Sequence, residues 1–300
     1  MRRERSAIYG AKPGTAAAPG RMPSFIAVGP PRTATTWLHV HLMNHVCLPK
    51  DKETQFFVWN YKLGLDWYTA HFRGCPPGMA AGEIAPTYFD SDDARNRIAH
   101  HIPNCRIICT FRDPVDRLYS HYKAWRQLGR IKADFDYVAS NHRQLLGFNR
   151  YAFHLKEWKL KFDPHVLVFL YDDMIADPQN FIDQVCDFIG APRIDLGRSA
   201  RPVSERIHTV ERQPKSQRLA RRGRQLRDTL IRFRLYGVAD RLRPVWRYCA
   251  AGGEPFPPIG HELEHRIRES WRPEIEALEE MIGRDLGRWK ETREIRAAGA

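Results

Sequence analysis

Residues 25–38 read Phe-Ile-Ala-Val-Gly-Pro-Pro-Arg-Thr-Ala-Thr-Thr-Trp-Leu, and this one stretch leaves few folds open. The apolar run Phe25–Val28 has the length and composition of a buried strand. Gly29-Pro30-Pro31 stops it. Hydroxyl-bearing residues then lead into Trp37, Leu38 and Leu42, which fall at helical spacing. The pattern predicts a strand over 25–29, a tight loop, and a helix over 35–46. A helix start presents unpaired N–H groups and the positive end of the dipole, so an anion rests there at low cost. Arg32, the hydroxyls of Thr33, Thr35 and Thr36, and the backbone from Ala34 to Trp37 would complete an anion cradle. The stretch lacks the second glycine and the lysine of a Walker A loop. Taken by itself it also reads as a solvated turn that caps a helix.

A second stretch repeats the design. Residues 106–122 read Arg-Ile-Ile-Cys-Thr-Phe-Arg-Asp-Pro-Val-Asp-Arg-Leu-Tyr-Ser-His-Tyr. An apolar strand again ends in a cation, Arg112. Asp113 suits a helix N-cap and Pro114 the first turn. Ser120 follows two turns on. In parallel sheets ligands gather beyond the carboxyl ends of strands, so two arginine-tipped junctions point to one ligand with two phosphate groups.

The remaining pattern alternates strands with helices. Strands are expected at 80–83, 106–111 and 166–170. Helices are expected after Asp66 and at 90–101, 114–128, 135–146, 150–161, 178–189, 215–235 and 261–282. Asp172 and Asp173 read as structural caps. The fold class expected is α/β: a P-loop-like, mostly parallel sheet with helices on both faces, in a single domain. That domain runs from 23 to 290 and contains an irregular basic segment at 195–260. Residues 1–22 and 291–300 read as tails.

Composition narrows the class. The chain has 300 residues and is 43% hydrophobic, enough for a sizeable core. No run of 18 apolar residues is present, and residues 1–23 lack the apolar centre of a secretory signal. The six cysteines (Cys47, Cys75, Cys105, Cys109, Cys186 and Cys249) show neither a CxxC pair nor zinc spacing. A cytoplasmic protein is the expectation. Charge is concentrated. Between Arg198 and Arg247 stand 15 Lys and Arg against four acids, giving +11 of the formal +13. This reads either as a solvated helical face or as a docking face for an anionic acceptor: a glycan, a lipid head group or a membrane surface. Interleaved stacking aromatics are missing, so no nucleic acid is expected. Oligomeric state is left open.

The two junctions together resemble the nucleotide-binding motifs of sulfotransferases that use 3′-phosphoadenosine 5′-phosphosulfate (PAPS). Lys52-Glu53-Thr54-Gln55-Phe56-Phe57, Gly64-Leu65-Asp66-Trp67-Tyr68 and Gly82-Glu83-Ile84-Ala85-Pro86-Thr87-Tyr88-Phe89 are similar to segments of the heparan-sulfate type. The segment ending Gly283-Arg284-Asp285-Leu286-Gly287-Arg288-Trp289 is similar to the end of many bacterial members. The resemblance implies that Arg32, Thr33, Ala34, Thr35, Thr36 and Trp37 hold the 5′-phosphosulfate and that Arg112 and Ser120 hold the 3′-phosphate. It implies Glu53 as general base, with Arg32 stabilising the leaving phosphate. Phe56, Phe57 and Trp67 are expected to shield Glu53, Glu83 is the second candidate base, and Thr87 and Tyr88 are expected to shape the acceptor pocket. Without the resemblance, Glu53 reads as a surface partner of Lys50 or Lys52.

This sequence also departs from the pattern. Arg32 stands where most members carry Lys, Ala34 where Gly is usual, and Ile84 where heparan-type members carry Lys, which counts against a glycosaminoglycan acceptor. Other classes stay open: a P-loop kinase, or a catalytically silent basic protein that binds nucleotides or polyanions. His41 and His45, four apart with Cys47 nearby, have no third metal ligand, and no metal is expected. His121 is expected to pack rather than catalyse.

Overall fold

The computed structural model describes residues 20–50, 52–198, 210–232, 238, 241, 242, 244 and 252–298. Most of the expected N-terminal tail, and much of the basic segment, lie outside the described residues. The chain packs as two compact units, with the parallel sheet in the first. One comprises Met1–Phe111 with His154–Val203, and the other Arg112–Phe153 with Ser204–Ala300. The chain therefore leaves the first unit at the end of a strand and returns to it within a helix.

The first unit is built on four parallel strands. They are β1 (Phe25–Ala27), β2 (Gly82–Ile84), β3 (Arg106–Phe111) and β4 (Val166–Leu170), in the order β2-β1-β3-β4. Ala27 stands level with Ile84 on one side and with Ile108 on the other. β1 and β2 are buried throughout, and β3 from Ile107 onward. Continuous apolar runs are what a sheet covered on both faces demands. Gly82 allows close packing, because a Cβ there would collide with the Phe25 ring. Around the sheet lie α1 (Thr35–Leu42), α2 (Leu65–Ala70), α3 (Asp92–His101), the later part of α7 (Tyr151–Phe162), α8 (Tyr171–Ala176) and α9 (Pro178–Ile189).

Local chemistry sets the helix ends. Ser91 Oγ accepts from Ala94 N at 3.2 Å to open α3. Asp177 caps α9, Pro178 fills its first turn, and Gly190 closes it at φ 72°. The carboxylate of Asp173 accepts from Leu170 N at 3.1 Å, the capping role expected of it. Cys47 and Cys75 form a disulfide, which nothing in the cysteine spacing announces. Cys105, Cys109 and Cys186 are free and buried.

The second unit contains α4 (Pro114–Gln127), α5 (Phe135–Asn141), α6 (Arg143–Gly147), the start of α7, α10 (Gln217–Arg232), α11 (His261–Ile282), α12 (Gly287–Lys290) and α13 (Arg293–Ala298). Val115, Leu118, Tyr122, Phe135, Leu145 and Ile267 form its core. The expected helix 135–146 is two helices, because His142 leaves helical geometry and its Nδ1 accepts from Leu145 N at 3.4 Å. The expected tail from 291 carries a helix instead. Arg293 N meets Glu264 Oε1 at 3.3 Å and its guanidinium meets Asp116 at 2.5 Å. No helix among the described residues is long and apolar enough to cross a membrane.

Candidate active site

The loop from β1 to α1 is held from below and strained above. Gly29 runs against β3 where any side chain would strike Thr110. The Thr33 hydroxyl donates to Pro30 O at 2.7 Å and lies 2.7 Å from the Thr110 hydroxyl. Thr33 thus spends its side chain on fixing the loop to β3. On either side of it the backbone turns left-handed, with φ 79° at Arg32 and 73° at Ala34. For non-glycine residues that conformation costs about 1–2 kcal/mol each, and such strain collects at functional sites. Alternating handedness curls successive N–H groups inward, as in an anion-binding nest. Ala34 is also the N-cap of α1, and no side chain caps that helix start. The first N–H groups of α1 therefore have no internal acceptor from a capping residue. Thr35 is buried and Thr36 half-buried at this end.

Trp37 faces the other way. Its ring stacks on His41 at 4.0 Å and meets Phe181 edge-on at 5.6 Å, so the indole belongs to the core and only its backbone belongs to the loop. His41 Nδ1 sits 2.9 Å from Trp37 O, His45 is exposed, and Cys47 is in the disulfide. Among the described residues no cluster of His, Cys, Asp or Glu could hold a metal ion.

Two glutamates flank this loop in different settings. Glu53 is about a quarter exposed. Its Oε2 accepts from Gln55 Nε2 at 2.7 Å, and the amide oxygen of Gln55 accepts from the Thr87 hydroxyl. Gln55 itself is left-handed at φ 56°. Thr87 thus reaches Glu53 through one side chain. Glu83 is fully buried in β2. Its Oε1 accepts from Thr54 N at 2.7 Å and Thr54 Oγ1 at 2.6 Å, and its Oε2 from Tyr68 OH at 3.0 Å and Tyr88 OH at 3.2 Å. Burial pushes the Glu83 carboxyl above its usual range, against the hydrogen bonds from Thr54 and the two tyrosines.

The aromatic shield expected over Glu53 is built around Glu83. Phe56 stacks on Tyr68 at 4.5 Å, and Phe57 meets Tyr88 edge-on at 5.8 Å. The reason is register: Thr54 binds Glu83, so the apolar pair that follows it turns inward. Glu83, the second candidate base, has four donors and no exposure. Tyr88, expected to shape the acceptor pocket, is buried and donates its hydroxyl to Glu83.

Comparison with known proteins then decides the family. Residues 22–211, well over half of the chain, match the family described as "Sulfotransferase domain". The chain belongs to the sulfotransferase family. Over 196 residues it is 31% identical to the human bifunctional heparan sulfate N-deacetylase/N-sulfotransferase 3, covering 57% of this chain and 22% of that protein. The mouse enzyme of the same description numbered 4 is 29% identical over 195 residues, covering 56% and 22%. This chain spans about a fifth of the length of the curated relatives it matches. A sulfotransferase from Alicyclobacillus acidocaldarius superposes with a TM-score of 0.65 over 90% of this chain and 100% of that one, at 18% identity. It shares the fold.

In this sulfotransferase the second motif, within its own unit, is built differently from the first. Asp113 caps α4 by accepting from Val115 N at 2.9 Å and Asp116 N at 3.1 Å. Its other oxygen takes Arg268 at 2.9 Å. Arg268, almost wholly buried, also binds Glu264 at 2.7 Å and Trp289 O at 2.6 Å. Arg112 is half-buried and its carbonyl accepts from Tyr151 OH at 2.9 Å. Ser120 is half-buried on α4. His121 packs on Trp125 at 4.9 Å and lies 3.2 Å from Arg117, as expected of a packing residue.

Sequence reasoning passed over the buried arginines Arg95, Arg117 and Arg268, since nothing local distinguishes them from surface arginines. Lys52 lies 3.5 Å from Glu53 Oε1, the pairing the spacing suggested, and its ammonium also donates to Thr36 Oγ1 at 2.8 Å, which sequence reasoning missed. The signal was available: Lys52 immediately precedes the candidate base.

Proposed function

We propose that the chain moves a sulfuryl group from PAPS to a hydroxyl or amine of a glycan, glycolipid or small metabolite. One observation carries the reading. The loop in which Arg32 and Ala34 are left-handed opens α1 without a side-chain cap, next to Lys52 and its partner Glu53, so a nest of N–H groups, a cation and a carboxylate share one corner. That donor set fits a phosphosulfate: N–H groups and a guanidinium for the anion, hydroxyls for its oxygens, and an acceptor-side carboxylate for the proton.

In this reading Arg32 and the N–H groups of 33–37 neutralise charge as it builds on the phosphate oxygen that leaves. Glu53 takes the proton of the acceptor. It is the better base than Glu83 because it is partly exposed and its donors are fewer. Arg112 and Ser120 bind the 3′-phosphate with side chains. The basic helix α10 supplies a docking face for an anionic acceptor. On it Arg218, Arg221 and Arg222 are exposed. Support for a saccharide acceptor comes from the names of the relatives, and Ile84, buried and apolar, favours one other than a glycosaminoglycan.

The test is transfer of label. The protein is incubated with [35S]PAPS and fractionated acceptors, and labelled product and released adenosine 3′,5′-bisphosphate (PAP) are measured. The expected result is acceptor-dependent PAP release, abolished in Glu53→Gln while PAP binding persists. Label arriving from ATP in place of PAPS would instead identify a kinase. PAP binding without transfer to any fraction would leave a binding protein.

A further inference from the structure

We propose that Lys52 is a catalytic residue of this enzyme, the second cation on the 5′ end of the donor. The assignment rests on the PAPS reading above.

Three observations place it there. The Lys52 ammonium is hydrogen-bonded to Thr36, in the first turn of α1. Cations are normally favoured at the other end of a helix, where the dipole is negative. Lys52 is therefore a positive charge at a positive helix end. Second, burial lowers its proton affinity and the Arg32 guanidinium lowers it further, with Glu53 acting in the opposite sense. The charges of Arg32 and Lys52 thus oppose each other. Third, the side chain is only 29% exposed, so water screens this arrangement incompletely. Glu53 offsets part of the cost through a long charged contact at 3.5 Å. An anion lying over the N–H groups of 33–37 would be met by both cations and the helix end together.

An ammonium carries three donors. Thr36 and Glu53 engage two, which leaves one for the donor phosphate. In the transfer step the bond from sulfur to the phosphate oxygen breaks and its electron pair stays on that oxygen. The bond from sulfur to the acceptor oxygen or nitrogen forms, and the proton of the acceptor passes to Glu53. Lys52 keeps its own proton and meets the growing negative charge beside Arg32. Its contact with Glu53 also holds the carboxylate towards the acceptor side.

Calorimetry on Lys52→Met, Lys52→Arg and the unaltered protein tests the assignment. The probes are PAP, which has a 5′-phosphate, and adenosine 3′-monophosphate, which lacks one. Losing one charge-assisted hydrogen bond is worth about tenfold to a hundredfold in affinity. Lys52→Met is expected to lose that much for PAP and less than about twofold for the monophosphate, and Lys52→Arg to recover most of the PAP affinity. Turnover of PAPS should fall further than PAP affinity in Lys52→Met, since the charge is greatest in the transition state. Undiminished PAP binding in Lys52→Met overturns the assignment. Equal losses for both probes also overturn it, because they would report damage to the whole site. Failure of the unaltered protein to bind PAP at all overturns the donor reading, and this assignment with it.

Discussion

The two arginine-tipped junctions look alike on paper and are built on opposite principles. At the first, α1 opens on Ala34, a left-handed residue with no capping side chain. At the second, α4 opens on Asp113, which caps two N–H groups itself and is in turn held by Arg268. One helix start has no side-chain cap and carries backbone strain beside it. The other has satisfied its own N–H groups through Asp113, so in the proposed reading an anion there would be held by side chains, Arg112 and Ser120. A backbone nest is placed by the fold to within fractions of an ångström and suits charge that moves during reaction. Side chains on a capped helix suit a group that only has to be recognised. Under the proposed function, the contrast fits chemistry at the first junction and recognition at the second.

The largest effect that can break this contrast is at Glu53. Glu53→Gln should cost about 10²–10⁴ in turnover, with PAP affinity changed less than about twofold. Steady-state kinetics beside calorimetry will show it. An equal loss of turnover from Ser120→Ala, with binding intact, would erase the distinction. Next comes Asp113→Ala, which uncaps α4 and takes one carboxylate from buried Arg268. A loss of about 3 kcal/mol or more in denaturant unfolding is expected. A change under about 1 kcal/mol would mean that the second helix start is not self-supporting.

Glu83 gives a smaller, pH-dependent effect. Its carboxyl sits above the usual range when folded, so the folded state keeps a proton that the unfolded chain has given up. Stability must therefore fall as pH rises from the ordinary glutamate value to the folded one, by at most about 1.4 kcal/mol per pH unit. Glu83→Gln should remove that slope in chemical denaturation measured between pH 4 and 8. An unchanged slope would assign it to other groups. The smallest effect expected is at Ala34. Glycine accepts φ 73° freely, so Ala34→Gly should stabilise the protein by about 1 kcal/mol in thermal unfolding, with turnover retained. Destabilisation would show that the loop is not strained in solution.

Much of the fold was legible because local signals coincided. β3, β4, α9 and α11 fall where apolar runs, Asp-Pro starts and glycine stops predict them, and the arginine at each strand end marks a junction. The turns at Phe56–Asn60 and Tyr61–Leu63 were not legible. They follow from Thr54 seeking Glu83, a partner 29 positions away. Nor could the roles of the two glutamates be separated by spacing. Both stand beside aromatics, and only the sheet register shows which one the rings enclose. The same limit hid Arg268, whose partners Asp113 and Trp289 lie 155 and 21 residues off.

The bridge between Cys47 and Cys75 encircles Lys52, Glu53 and the turns behind them in one covalent ring, with 28 positions between its ends. Closing a ring of that length removes unfolded-state freedom worth about 3–4 kcal/mol in the chain-entropy model. Dithiothreitol in a purification buffer would open the ring. Preparations made with and without thiol reductant would then be two chemically distinct enzymes, differing at the segment that carries the proposed base.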